Sequence, residues 1–507
     1  MAKKGFLGID AGTQGLSVIF TNENLDVIAT GDGGYEMIPG LDEGCYEQLP
    51  ADWDAALTTA MSDLRTNLGT EIEVLGIGIS GQMHGEVLTD GDGDSLGAAR
   101  LWCDSRNEAE GDELTAAFGV KMPKRITAAR WLWTIRNRSD LAKNTQHITT
   151  PAGWIAFRLT GQWKLGIGDA SGMFPIDQST LDYDQSLLSK FDEIAKGPVP
   201  LKSLLPTVAK AGEDGGTLNE TGAELLGLPV GVQVAPAEGD QPAALAGSLI
   251  GDAGMVSCSF GTSVCANSVG DRAFSGVSKA VDHFCAPDGK PINMVLLRNG
   301  TTYMNCVVEM FGQAAGGDKG DAFAVTMPKV LEASADCGGL LALPFMDDEP
   351  GLEISHGGTA MIVGFNSENA TPGNAVKAAL LSTMFNLKLG SEVLDGQGYP
   401  RTELVLSGGL TKTPELGEVL ANVFATKVTL LDSAEEGCAW GAALMAKFRC
   451  DTIAGHSGQW SEFLTQYIAA NQTQYLPDED QVAAYEVVYQ RYKKLVAAHP
   501  SIDEAVR

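Results

Sequence analysis

Gly5-Phe-Leu-Gly-Ile-Asp10-Ala-Gly-Thr-Gln-Gly-Leu-Ser-Val-Ile-Phe20 reads as a strand, a Gly-rich turn and a second strand, so a β-hairpin opens the chain. Gly254-Met-Val-Ser-Cys-Ser-Phe-Gly261-Thr-Ser-Val-Cys-Ala-Asn-Ser268 repeats the plan, with a G-T turn between two strands of small and β-branched residues. Further strands and helices follow each copy, which points to an internal duplication of one α/β unit and to two similar lobes facing each other. In such a turn Gly12, Thr13 and Gly15 can offer several backbone N–H groups and a hydroxyl to one phosphate, and Asp10 can hold a hydrated metal ion. One copy alone reads equally as a hairpin turn with a capping Asp. Two copies on facing lobes can grip a polyphosphate from both sides, as transfer of a terminal phosphoryl group requires.

Working outward, Val74–Ser80 is a buried strand that runs into the loop Gly81-Gln-Met-His-Gly85, and Trp53–Leu68 before it has helical periodicity. Residues 97–200 hold Trp102, Trp131, Trp133, Trp154 and Trp163 with weaker strand signals, which reads as an elaboration able to close over a substrate. Glu403–Ser407, Thr413–Ala425, Lys427–Leu431 and Glu435–Lys447 read strand, helix, strand, helix, a βαβα run with a parallel portion of sheet. The expected division is 1–248, 249–450 and a helical, outward-packed extension at 451–507.

Composition narrows the function classes. The 507 residues, 44% hydrophobic and 20% charged, are too many for one core and too apolar for a disordered chain. Lys plus Arg number 35 against 65 for Asp plus Glu, and the net charge of -30 repels nucleic acid and anionic lipid. A nucleoside triphosphate then has to be held by local amide donors and a metal ion. The nine cysteines show no C-x-x-C pair, which fits reduced thiols and a cytoplasmic protein. No apolar run approaches the roughly 18 residues that a spanning helix needs, and Asp10 interrupts the short N-terminal apolar stretch before a signal-peptide core is complete.

Four further clusters carry candidate chemistry, each with a plain structural alternative. Asp240 follows the strand Val232–Ala235 and precedes a small-residue helix. It suits a base accepting a proton from an alcohol during phosphoryl transfer, with an ordinary carboxylate pKa sufficing, and it suits equally a helix N-cap. Gln82, Met83 and His84 offer an amide, a flexible apolar surface and an imidazole to a polyol, or a structural His. Trp102, Asp104 and Arg106 offer an aromatic face and a charge pair, or a buried ion pair. Gly408 and Gly409, ahead of Thr413, allow close approach to a purine ring, or form a tight turn. Neither a G-x-G-x-x-G at a βα junction nor a G-x-x-x-x-G-K-[ST] loop occurs.

Together G-I-D-A-G-T-Q-G (8–15), S-G-Q-M-H-G (80–85), L-W-C-D-S-R (101–106), E-G-D-Q (238–241), S-F-G-T-S (259–263) and L-S-G-G (406–409) resemble the FGGY carbohydrate kinases. The Q-M-H-G loop is most similar to that of the xylulokinase branch and is shared with sedoheptulokinases. The resemblance implies two RNase H-like lobes of the actin/hexokinase/Hsp70 type, with ATP, Mg2+ and a ketose bound in the cleft, and commonly a homodimer. It carries the catalytic base onto Asp240, a Mg/phosphate role onto Asp10 with Asp240, and sugar contacts onto Met83, His84, Trp102, Asp104, Asp240 and Gln241. Nucleotide contacts fall on Gly12, Thr13, Gln14, Gly261, Thr262, Gly408, Gly409 and Thr413. Three positions depart from the family pattern. Gln241 stands where Asn is usual, and Leu410 and Thr413 stand where a third Gly and a Ser are frequent. The other class compatible with two phosphate hairpins is a non-catalytic nucleotide switch or sugar sensor.

Overall fold

Two twisted sheets with the same local plan organise the chain. The computed structural model describes residues 2–69, 71–316, 319–430, 437–456, 458–468 and 472–507. In the first sheet the antiparallel strands Val27–Gly34, Gly15–Asn22 and Lys3–Ala11 continue through parallel pairing into Ile72–Gly81 and then Gln233–Val234, with Glu238–Gly239 also pairing with Ile72–Gly81. The second repeats this order: Pro291–Leu297, Val264–Val269 and Met255–Phe260 are antiparallel, and Glu403–Gly408 and Lys427–Leu430 follow in parallel. Val281–Cys285 extends one edge and Thr473–Tyr475 the other. Each hairpin turn is closed by a backbone bond from its first glycine, Gly12 N–H to Gly15 C=O in a four-residue loop and Gly261 N–H to Ser263 C=O in a three-residue one, each at 2.9 Å. The duplication read from the two G-T hairpins is therefore a duplication of sheet order.

Local chemistry explains most element boundaries. The helix Pro50–Leu68 starts at a proline whose missing N–H costs nothing there and stops at Gly69 in the left-handed region. Its inner face, Trp53, Ala56, Leu57, Ala60, Met61 and Leu64, follows helical spacing and is buried. The helix expected from Thr413 begins instead at Leu416, after a 3-10 turn at Gly409–Lys412. Thr413 precedes Pro414, whose ring excludes the α region for the residue before it, and Thr413 stands at φ -129, ψ 82. The expected end of the following strand at Leu431 and the helix start at Glu435 lie outside the described residues.

The elaboration expected at 97–200 is rooted in the first lobe: its helices, Glu108–Phe118, Thr127–Asn137, Pro151–Thr160, Ile167–Met173 and Gln185–Ala195 among them, share one hydrophobic core with the first sheet. Trp131 and Trp154 are part of that core. The stretch after 450 is not an outer coat, because it supplies the edge strand Thr473–Tyr475 and because the helix Glu479–Ala497 buries Tyr485, Val488, Tyr489 and Tyr492 in the second core. The helix Gly437–Ile453, late in the chain, packs on the first sheet and not on the second.

That last contact is unusually close. A Cβ added at Gly78 would lie 1.8 Å from the Ala442 carbonyl oxygen, and one at Gly8 would lie 2.0 Å from that of Ala439. On its other side the helix meets Asp240–Gly247, where a Cβ at Gly441 would fall 2.0 Å from the Ala243 oxygen and one at Gly247 would fall 2.2 Å from that of Gly437. Only glycine lets these backbones touch. Gly78→Ala should therefore push the helix off the sheet and lower unfolding free energy by about 3 kcal/mol, while Gly34→Ala, which meets nothing within 4 Å, should change it by less than about 0.5 kcal/mol; urea melts of both check this.

Candidate active site

The two hairpins and the C-terminal ends of the parallel strands face one cleft. Asp10 lies near the end of its strand, accepts a hydrogen bond from Ser80 Oγ at 2.8 Å, and has its carboxyl pushed up by burial. Beyond it Gly12, Thr13 and Gln14 line an open hollow of about 720 Å³ with Trp102. Gln48 Nε2 donates to the Thr13 carbonyl at 2.8 Å, and Trp102 Nε1 donates to Thr13 Oγ1 at 3.1 Å. Thr13 is thus fixed from two sides.

Asp240 sits across the central strand from Asp10, since Glu238–Gly239 pairs with Ser80–Gly81 just before it. The N-cap reading fails: Gly239 occupies that position, and Asp240 is the first helical residue. Its Oδ1 accepts from Gln241 N–H at 2.8 Å, and the Met83 N–H also reaches the carboxylate. Burial, and then the charge of Asp10, push Asp240 up to about 7, well above the ordinary value expected from sequence. Neither carboxylate has an ion-pair partner among the described residues. Behind Asp240, Glu238 accepts the Gly168 and Asp169 N–H groups at 3.2 and 2.8 Å, so the start of Ile167–Met173 is tied to the strand that delivers the base.

Met83, His84, Trp102, Asp240 and Gln241 come together around a cavity of about 430 Å³, which the second lobe closes with Ser257, Ser259, Asn267 and Ser407. His84 adopts a left-handed backbone (φ 65) at the tip of its loop. Its Nδ1 pairs with the Gly172 carbonyl at 2.9 Å, and burial with nearby Arg125 pushes its pKa down to about 3. A neutral ring donating through Nδ1 leaves Nε2 as an acceptor. Asp104 does not join this group. It is fully buried, Arg106 grips both of its oxygens at 3.0 and 2.6 Å, and Tyr46 N–H adds a third bond. Its place is the ion-pair alternative rather than a sugar contact.

Two arginines were not singled out from sequence. Arg125 lines the cavity and pairs with Asp282 of the second lobe, which also holds Lys121 at 2.8 Å. Arg130, fully buried, donates to the carbonyls of His84 at 2.9 Å, Trp102 at 2.8 Å and Arg125, and so pins the backbone of three cavity residues at once. Most of their partners lie on distant segments, so no local pattern marks them.

The second lobe carries the other end of the cleft. Gly261 and Thr262 are held from behind by Thr301 N–H and Gly300 N–H at 2.8 and 2.9 Å, which leaves Thr262 exposed at the hairpin tip. Gly409 and Thr413 line a hollow of about 510 Å³ walled by Met304, Phe323, Met327, Leu410 and Leu416, a surface suited to a flat heterocycle. Gly408 stands beside it at φ 81, where a Cβ would come 2.8 Å from the Phe260 oxygen.

Two outcomes follow from this packing. Arg130→Met should leave three carbonyls without their donor and lower stability by about 3 kcal/mol in denaturant melts. His84 should stay neutral from pH 8 to pH 5, with 15N imidazole shifts of the Nδ1–H tautomer; a midpoint near 6.5 would contradict the geometry. Because its folded pKa is depressed, its contribution to stability is complete above the unfolded value of 6.5 and is lost as pH falls from there toward about 3.

Comparison with known proteins gives this geometry its context. Residues 6–247 match the N-terminal domain of the FGGY family of carbohydrate kinases, and residues 256–450 match its C-terminal domain. A xylulose kinase of Haemophilus influenzae is 27% identical over 96% of this chain and 98% of its own. Among solved structures, the xylulose kinase from Rhodospirillum rubrum superposes with a TM-score of 0.83 at 21% identity over 98% of this chain and 99% of its own. The Plasmodium falciparum glycerol kinase with ADP does so with a TM-score of 0.80 at 19% identity, covering 98% of both. With both domains of the profile matched in order on a duplicated, actin-like pair of lobes, the chain belongs to the FGGY family of carbohydrate kinases and is an ATP-dependent sugar phosphotransferase.

Proposed function

We propose that this kinase phosphorylates the terminal hydroxyl of a ketose, D-xylulose to D-xylulose 5-phosphate, with Asp240 as general base. The observation that carries the reading is the single cavity in which the Asp240 carboxylate, Met83 and the neutral His84 meet at the mouth of the cleft. His84 Nε2 accepts from one sugar hydroxyl while Met83 packs against the carbon chain. Asp240 orients the reacting hydroxyl and takes its proton as the phosphoryl group arrives. The names of the curated relatives support a ketose over glycerol.

ATP lies, in this reading, with its base against Gly409, Thr413, Met304 and Phe323 and its phosphates between the hairpins at Gly12–Gln14 and Gly261–Thr262. Mg2+ fits the donor set: Asp10 and Asp240 are two hard-oxygen ligands whose carboxyls burial pushes up, the Asp10 charge adding to the shift at Asp240; neither has an ion-pair partner among the described residues, and no group of three ligating side chains occurs among them. A cation that takes its remaining ligands from phosphate and water matches that pattern. When bound it neutralises charge on the transferring group.

The test is ADP release with MgATP against D-xylulose, D-ribulose, L-xylulose, sedoheptulose and glycerol. D-Xylulose should give the highest kcat/KM, and Asp240→Asn should lower kcat by about 10²–10⁴-fold with little change in KM. Near-full turnover in that variant removes Asp240 from the role.

A further inference from the structure

Gln241 extends from the first turn of the helix that begins with Asp240, and its carboxamide reaches across the cleft. Asn267 Nδ2 donates to Gln241 Oε1 at 3.3 Å. Asn267 is buried on Val264–Val269, the strand that leaves the second G-T hairpin, and both residues line the 430 Å³ cavity with His84 and Asp240. On the far side, Cys265 Sγ donates to Asn267 Oδ1 at 3.9 Å, and burial pushes that thiol up to about 12, which keeps its proton in place. The bonds run from the thiol to the Asn267 oxygen and from the Asn267 nitrogen to the Gln241 oxygen. Gln241 Nε2 is then the group left to face the cavity, and it is a donor only.

We propose that Asn267 is a positioning residue that, by clamping Gln241 across the two lobes, presents the Gln241 N–H groups to an oxygen of the bound sugar other than the one phosphorylated. Reach makes the clamp possible. An Asn at 241 would withdraw the amide by about 1.5 Å, one C–C bond, and out of hydrogen-bonding distance. The clamp joins the residue beside the base to the strand beside the phosphate hairpin. A sugar oxygen bound to Gln241 is therefore read in full only when the second lobe is in place. This inference rests on the sugar-kinase reading of the same cavity and adds a residue of the opposite lobe to it.

A double-mutant cycle with Gln241→Asn and Asn267→Ala tests it, because two residues acting through one hydrogen bond are not additive. Each single variant should raise KM for D-xylulose about 10-fold with kcat within about 3-fold, leaving KM for MgATP unchanged, and the double variant should again show about 10-fold. Thermal melts of the unliganded chain should follow the same rule, with the double variant losing no more Tm than the worse single. Multiplied KM effects near 100-fold, summed losses of Tm, or an unchanged KM in Asn267→Ala would overturn the clamp. If the wild type phosphorylates no sugar of the panel, the ketose reading falls, and the melting cycle alone decides whether the two amides are coupled.

Discussion

The contact on which the rest depends is the one between backbones at Gly8, Gly78, Gly247 and Gly441, where the helix Gly437–Ile453 lies against the first sheet and against Asp240–Gly247 with no side chain between. Van der Waals attraction rises steeply at such separations, and the small residues Ala439, Ala442, Ala443 and Ala446 extend the seam. Asp240 starts one of the two helices in this seam, so the position of the candidate base is set by backbone packing and not by a loop. The candidate base is attached to a helix whose backbone is packed directly against another.

Around that seam the cleft is wired from both lobes. Glu238 ties the delivering strand to Ile167–Met173, and the Gly172 carbonyl of that helix holds the His84 ring. Ser171 Oγ of the same helix accepts Cys285 N–H of the second lobe at 2.8 Å, and Asp282, three residues earlier in that strand, takes Lys121 and Arg125. First-lobe and second-lobe residues around the cleft therefore share hydrogen bonds, and where these are buried they are costly to break.

Much of this was legible in the chain because the signals are local. Both hairpins, the strand before Gln82, the βαβα order after residue 402 and the placing of Asp240 at a strand end all follow from periodicity and turn residues within a dozen positions. The misses share one cause, partners distant in sequence. Asp104 looked like a site residue because Trp102, two positions before it, lines the cavity, yet Tyr46 and Arg106 take its carboxylate. Arg125 and Arg130 gave no pattern because their partners, from Asp282 to the carbonyls of His84 and Trp102, come together only in the fold. The outward coat expected after 450 failed because two tyrosine-bearing segments there complete a sheet edge and a core that sequence order assigns to earlier residues.

The crossing of Gly437–Ile453 onto the first sheet also sets the order in which the molecule can be made. The face of Ile72–Gly81 that holds Gly76 and Gly78 leaves the ribosome hundreds of residues before the helix that covers it. During synthesis that glycine-lined surface, between otherwise apolar strands, has no partner of its own. The first lobe, although it comes first, stays uncovered on this face until the helix Gly437–Ile453 has been made, and a nascent chain must keep an open sheet face from pairing wrongly until most of its length has emerged.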